Sequence, residues 1–187
     1  LGVLELCSVA RGLVVADAMV KRADVTLLQA HPVTPGKLVV VVTGGEEEVQ
    51  QSVQRGLEES GDTLLDQLYL PRADEQLAPA ISGAVQLRSA AALGVVETFS
   101  VASAILSADR CVKAADVRLV QLRLARGLGG RAFYVLTGEL HQVEAGVEAG
   151  RSMIHDGILM TTEVIPRPHA DLVRTICGYP NVSPHLY

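Results

Sequence analysis

The chain carries the same motif twice, and this duplication limits its possible folds more than any other feature. Residues 1–29 (LGVLELCSVARGLVVADAMVKRADVTLLQ) align without a gap over residues 93–121 (LGVVETFSVASAILSADRCVKAADVRLVQ), and about half the positions are identical. The match resumes after the next loop, with residues 36–44 over 130–138. It closes with LPRADEQL (70–77) over IPRPHADL (165–172). Such a unit is far longer than the roughly 20–50 residues of a solenoid repeat. It reads as a whole small domain, duplicated and fused: a first domain at 1–80, a linker at 81–92, a second domain at 93–176 and a tail at 177–187. A domain of this size buries only about two-thirds of the surface its unfolded chain exposes. The halves are therefore expected to pack on each other or on other subunits.

The composition excludes several functions. A net charge of −5 argues against a nucleic-acid coat, whose affinity comes from a basic surface. With no Trp, two Phe and four Tyr, base-stacking platforms are not expected. No apolar run approaches the roughly 18 residues of a membrane span, and no secretory signal is visible. Cys7, Cys111 and Cys177 are odd in number and form no CxxC pair, which reads as a cytosolic protein with unpaired thiols.

Each half reads strand, helix, strand, strand, helix, strand, short helix. First strands are expected at 2–7 and 94–99, followed by helices with apolar stripes at Val9, Leu13, Ala16 and Val20, and at Val101, Ile105, Ala108 and Val112. Ser8 and Ser100 stand at the N-cap positions. Strands follow at 25–29 and 117–122. The β-branched runs at 37–43 and 131–137 read as central strands. Second helices carry Val49, Val53 and Leu57, and Leu140, Val143 and Val147. Last strands at 63–70 and 157–165 are stopped by Pro71 and Pro166. Residues 79–92 are small and weakly patterned. The order describes an α+β fold: two tandem, ferredoxin-like-related domains, each a mainly antiparallel sheet flanked by helices.

The strings LGVVETFSVASAILSADRCVKAADV, GGRAFYVLTGELHQVEAGVEAG and VIPRPHADL, matched in the first half, resemble the shell-protein domain of bacterial microcompartments. The whole chain is similar to the tandem-domain class in ordinary, unpermuted element order, and within it to the tandem shell proteins of propanediol-utilisation compartments. The resemblance implies a non-enzymatic structural tile: a homotrimer imitating a hexamer, packed edge to edge with other shell proteins around a cytoplasmic compartment. A central pore would pass small metabolites. Partners among nucleic acids or membranes are not expected.

The resemblance assigns roles residue by residue. Lys21 and Lys113, each four residues after an aspartate, and Arg72, Arg167 and His169, beyond the strand-ending prolines, would lie at the tile edge. As bare sequence, the lysines are i,i+4 ion pairs worth a few tenths of a kcal/mol. An arginine's fixed donors suit insertion into a neighbouring tile. The pore would be lined by His31, Pro32, Val33, Thr34, Pro35, Gly36 and Lys37, and by Arg126, Gly127, Leu128, Gly129, Gly130 and Arg131. Between the aligned stretches the second loop, residues 122–129, is two residues longer than the first, residues 30–35, so the pore would be threefold. His31, Lys37, Arg126 and Arg131 give the loops a basic cast, with no acid among them, that would favour anionic metabolites.

In the propanediol-utilisation relatives a cysteine directly precedes this Pro-Gly-Lys, and three such cysteines hold an iron–sulfur cluster on the axis. Here the position is Thr34, a poor ligand for a soft cluster, so no cofactor is expected. The five histidines show no HxxxH or HExxH spacing, no metal site is expected, and no catalytic constellation appears. Glu5 and Glu97, repeated on first strands, read as structural. Two other readings remain open on sequence: a redox shell module with a cluster or metal at the axis, and a ligand sensor binding between the halves.

Overall fold

The computed structural model describes residues 1–155 and 157–177, so most of the expected tail lies outside the described residues. The first half comprises β1 (Gly2–Leu6), α1 (Val9–Arg22), β2 (Val25–Val33), β3 (Lys37–Gly44), α2 (Glu46–Ser60), β4 (Leu64–Tyr69) and α3 (Leu77–Ser82). The second repeats it as β5 (Ala92–Thr98), α4 (Val101–Ala114), β6 (Arg118–Leu124), β7 (Ala132–Gly138), α5 (Leu140–Arg151), β8 (Leu159–Pro166) and α6 (Ala170–Cys177). Two four-stranded sheets result, ordered β2-β3-β1-β4 and β6-β7-β5-β8. β1 pairs antiparallel with β3 and β4, β2 with β3, and β5 with β7 and β8. This is the expected α+β class. Pro166 is the last residue of β8, opposite Ala92, and not the residue beyond the strand.

The chain divides into two compact units. One holds Leu1–Ala73 with Ser100–Ala102 and Leu124–Arg131. The other holds Asp74–Phe99, Ser103–Arg123 and the chain from Ala132 onward. The stretch read as linker is therefore not a free tether: α3 reaches into it, and Val85, Leu87 and Ala90 pack with Val120, Val173 and Ile176 in the second unit.

In the first unit Leu4 and Leu6 from β1, and Leu38, Val40 and Val42 from β3, meet Val15, Ala16 and Met19 of α1 and Val49 and Val53 of α2. Ser8 caps α1, its hydroxyl accepting from Arg11 N at 3.2 Å. Of the expected α1 stripe, Ala16 is buried and Val9 packs partly buried on this core, but Leu13 is not on the buried face. The buried face is Gly12, Val15, Ala16 and Met19, while Leu13 is 52% exposed. Gly12 shapes this face: a Cβ there would stand 2.4 Å from Leu38 Cδ2, so the helix lies with its glycine flat on β3. In α4, Val101, Ile105 and Ala108 are buried as expected. In α5, Val143 and Val147 are buried, but Leu140, at the helix start, is exposed.

The repeat is not chemically symmetric inside. Where the first half has Val15, Met19 and Val40, the second has Ser107, Cys111 and Tyr134. The Tyr134 hydroxyl lies 2.6 Å from Ser107 Oγ and 3.0 Å from Cys111 Sγ, all buried. Burial pushes the Cys111 thiol up to about 11 and the Tyr134 phenol well above its ordinary value, so both groups are neutral near pH 7. Gly150 opens the space they occupy, since a Cβ there would meet Cys111 Sγ at 2.4 Å and Tyr134 Oη at 2.5 Å. Gly150→Ala is expected to destabilise the fold by about 1–3 kcal/mol, read as a lower midpoint in denaturant. An unchanged midpoint would show that the cluster is not closely packed.

Candidate functional site

The first of the two duplicated loops is mostly a hairpin. β2 runs to Val33, so His31, Pro32 and Val33 are strand residues, paired with Val39, Leu38 and Lys37. The reason is cooperative: the apolar β3 continues to offer ladder partners, and β2 is an edge strand, where a proline is tolerated. Only Thr34, Pro35 and Gly36 form the turn, closed by Gly36 N donating to Val33 O at 2.9 Å, with Gly36 at φ 89°. The turn residues are exposed, whereas the Val33 side chain is buried.

The second loop, Leu124–Arg131, belongs to the first compact unit together with that hairpin. It is a chain of tight turns: Ala125, Gly127, Gly129 and Gly130 all have positive φ, and Arg126, Leu128 and Arg131 N–H groups donate to carbonyls two or three residues back. A Cβ on Gly130 would lie 3.7 Å from the Thr34 carbonyl oxygen, which sets the two loops side by side. The Arg131 guanidinium Nε donates to Leu128 O at 3.3 Å, tying that side chain to its own loop.

Not every cation of the loops is uncompensated. Lys37 Nζ stands 3.7 Å from Glu5 Oε2, so the absence of an acid within the loop sequences is made good by β1. Burial pushes the Glu5 carboxyl above its ordinary range, Lys37 pulls it back and Asp66 pushes it further up. Burial, then the nearby Arg126 guanidinium, holds the His31 imidazole below its ordinary value, and His31 Nε2 is buried without a hydrogen-bond partner. Arg126 itself is exposed. The structural reading of Glu5 thus acquires a partner in Lys37 that spacing alone did not suggest.

The post-strand arginines share a feature invisible in sequence. Arg72 and Arg167 have φ 49° and 48°. With Ala125, they are the non-glycine residues of positive φ among the described residues. Both side chains are exposed, and Arg167 N donates to Ala91 O at 2.8 Å. Holding a side chain in this region twice, at matched positions, costs free energy of order 1 kcal/mol each. The lysines differ between copies. Lys21 pairs with Asp17 at 2.5 Å on the surface, whereas Lys113 pairs at 2.7 Å with a buried Asp109 that also accepts from Asp74 N at 2.9 Å. His169 is exposed, and its Nδ1 accepts from Asp171 N at 3.2 Å, ahead of α6.

Residues 1–73 and 92–168 each match the BMC domain model. The chain belongs to the BMC-domain family of bacterial microcompartment shell proteins. It is 41% identical over 175 residues to the microcompartment shell protein PduT of Citrobacter freundii, covering 93% of this chain and 95% of that one. A single-domain relative, the shell protein PduA of the same organism, is 36% identical over 87 residues, which span 46% of this chain and 90% of PduA. Half of this chain thus corresponds to one complete relative, as a fused duplication requires. A solved microcompartments protein from Desulfitobacterium hafniense DCB superposes with a TM-score of 0.89 at 44% identity, covering 92% of this chain and 97% of that one.

The iron–sulfur cluster that the resemblance to the propanediol-utilisation relatives implies does not fit the donors among the described residues. Thr34 offers a hydroxyl, Cys7 lies just beyond β1 and is exposed, and Cys111 is buried with a raised thiol. Among the described residues no group of three His, Cys, Asp or Glu is placed to hold a metal ion. No helix among them is long and apolar enough to cross a membrane.

Glycine adopts positive φ without a Cβ penalty, so Arg167→Gly is expected to be more stable than Arg167→Ala by about 0.5–1 kcal/mol. Thermal melts of the two variants side by side test this. Equal midpoints would mean that the left-handed backbone at Arg167 carries no strain.

Proposed function

We propose that the chain is a shell tile of a bacterial microcompartment, in the cytoplasm. Three chains close into a pseudohexamer, its edges meet other shell proteins, and a threefold pore at its axis passes small anionic metabolites. It carries no cluster there and performs no catalysis. The observation that carries the ring is unequal burial of equal positions. Ile105 on α4 is fully buried, while its counterpart Leu13 on α1 is 52% exposed and the adjacent Val14 is 48% exposed. A self-complementary pair of domains would treat the two copies alike. A head-to-tail series leaves one copy bare in each chain, and closing the ring covers it.

The two loops support the pore, since the hairpin turn and the Leu124–Arg131 turns lie together in one unit and expose Arg126. With Lys37 held by Glu5 and Arg131 by its own loop, Arg126 is the cation with most freedom to meet a passing anion. The repeated left-handed arginines support the edge, because strain kept at two matched surface positions is the pattern of a functional constraint. Arg72 and Arg167 would donate into the neighbouring tile beside Lys21 and Lys113.

Arg167→Ala is expected to leave the trimer intact and abolish two-dimensional sheets, read by light scattering for mass and by electron microscopy for hexagonal lattices. Normal sheets would remove the edge role. Arg126→Ala is expected to slow entry of a small carboxylate into shells assembled from the variant, with entry of a neutral alcohol unchanged. Equal carboxylate flux would remove the anion-selective pore.

A further inference from the structure

The segment after β4 is already docked in the second unit, and its manner of docking is informative. Asp74 N donates to Asp109 Oδ1 on α4 at 2.9 Å. Gln76 Oε1 accepts from Leu119 N on the edge strand β6 at 2.9 Å, and Leu77 is fully buried. The receiving surface is therefore a helix carboxylate beside an edge-strand N–H, and its Leu119 side chain is 1% exposed.

Both halves of this joint recur in the chain, uncovered. The receiving surface recurs at Asp17 on α1 and Leu27 on the edge strand β2. The Asp17 side chain is 58% exposed and Leu27 41% exposed. The inserted segment recurs after β8 as His169, Asp171 and Leu172, with Leu172 37% exposed where its counterpart Leu77 is buried. The second segment opens with the same turn, although its helix begins sooner: residues 170–172 lie within α6, whereas Glu75 and Gln76 precede α3. Each follows a left-handed arginine, Arg72 or Arg167. In each, the side chain of the first residue accepts from the N–H two residues on: Asp74 from Gln76 at 3.0 Å, His169 from Asp171 at 3.2 Å. Asp109 serves Lys113 and the Asp74 N–H together, so Asp17, paired with Lys21, has the capacity for a second donor as well.

We propose that residues 169–172 of one chain latch onto the α1 and β2 edge of a second copy. His169 N–H donates to the Asp17 carboxylate, the Asp171 carboxylate accepts from Leu27 N–H in place of the Gln76 amide oxygen, and Leu172 covers Leu27. Asp171 must turn from its local contacts with Arg174 and His169 to do so. The inference rests on the ring reading and specifies its joint. It places His169 inside the ring, beside the edge arginine, and not at the tile edge.

The test uses the whole chain. In the unmodified trimer, hydrogen exchange at the Leu27 and His169 amides is expected to be slow and to quicken on dilution to monomer. Leu27→Asp and Leu172→Lys are each expected to raise the concentration at which trimers dissociate by about tenfold or more, and the double variant to recover most of that loss. If the wild type is trimeric but both single variants dissociate like it, or the two amides exchange as fast in the trimer as in the monomer, the latch is wrong and the ring stands. If the wild type is monomeric at every concentration, the ring reading fails and the latch with it. Should a single variant unfold, the exchange measurement on the unmodified protein decides.

Discussion

The antiparallel pairing of β1 with β3, copied as β5 with β7, is the contact on which each domain depends. Its register sets Leu4 opposite Val40 and Leu6 opposite Leu38, and it turns the alternate residues toward α1 and α2. The same register puts Glu5 opposite Val39, within reach of Lys37 where β3 begins. β2 is added outside β3, so its hairpin leaves the sheet at the end where Lys37 is anchored. A slip of one residue would turn the apolar set away from the helices and separate the pair. Core, ion pair and loop position thus share one geometric cause.

The duplication has been edited where the copies do different work. At matched positions one core has Val15, Met19 and Val40, whereas the other holds a buried hydroxyl, thiol and phenol that satisfy one another around Gly150. Such a network is tolerable only when every member finds a partner, and it sets the two domains apart without altering the fold. The surfaces differ in the same way: Asp109 is buried and doubly engaged, and Asp17 is a surface ion pair. Related sequences in unlike surroundings are what a fused protein needs if each half is to keep its own neighbours in an assembly.

Much of this was legible residue by residue. The run LVVVVT announced a central strand, because only a strand covered on both faces is apolar at consecutive positions. Of the α2 stripe, Val49 and Val53 are buried and Leu57 packs partly buried against the same core. The α1 stripe held at Ala16 and missed Gly12, since periodicity counts apolar residues and cannot see that a glycine lets the helix press against Leu38. The first loop was overestimated, since residues 31–33 extend a ladder whose partners lie across the hairpin. The Glu5–Lys37 pair joins positions 32 residues apart in sequence, and the left-handed turns at Arg72 and Arg167 are a matter of dihedral angle, for which arginine gives no local signal.

Sequence alone determined that the chain is one domain written twice, which elements each copy contains and which family it resembles, because identity, alternation and helical spacing are properties of the chain by itself. Only the tertiary structure decided which copy of each repeated position is covered. Leu119 and Leu27, Leu77 and Leu172, and Ile105 and Leu13 are near-equivalent letters with opposite exposure. Burial belongs to the surroundings of a side chain and not to its identity, so a duplicated sequence can specify two like folds and still leave one receiving surface closed and the other open.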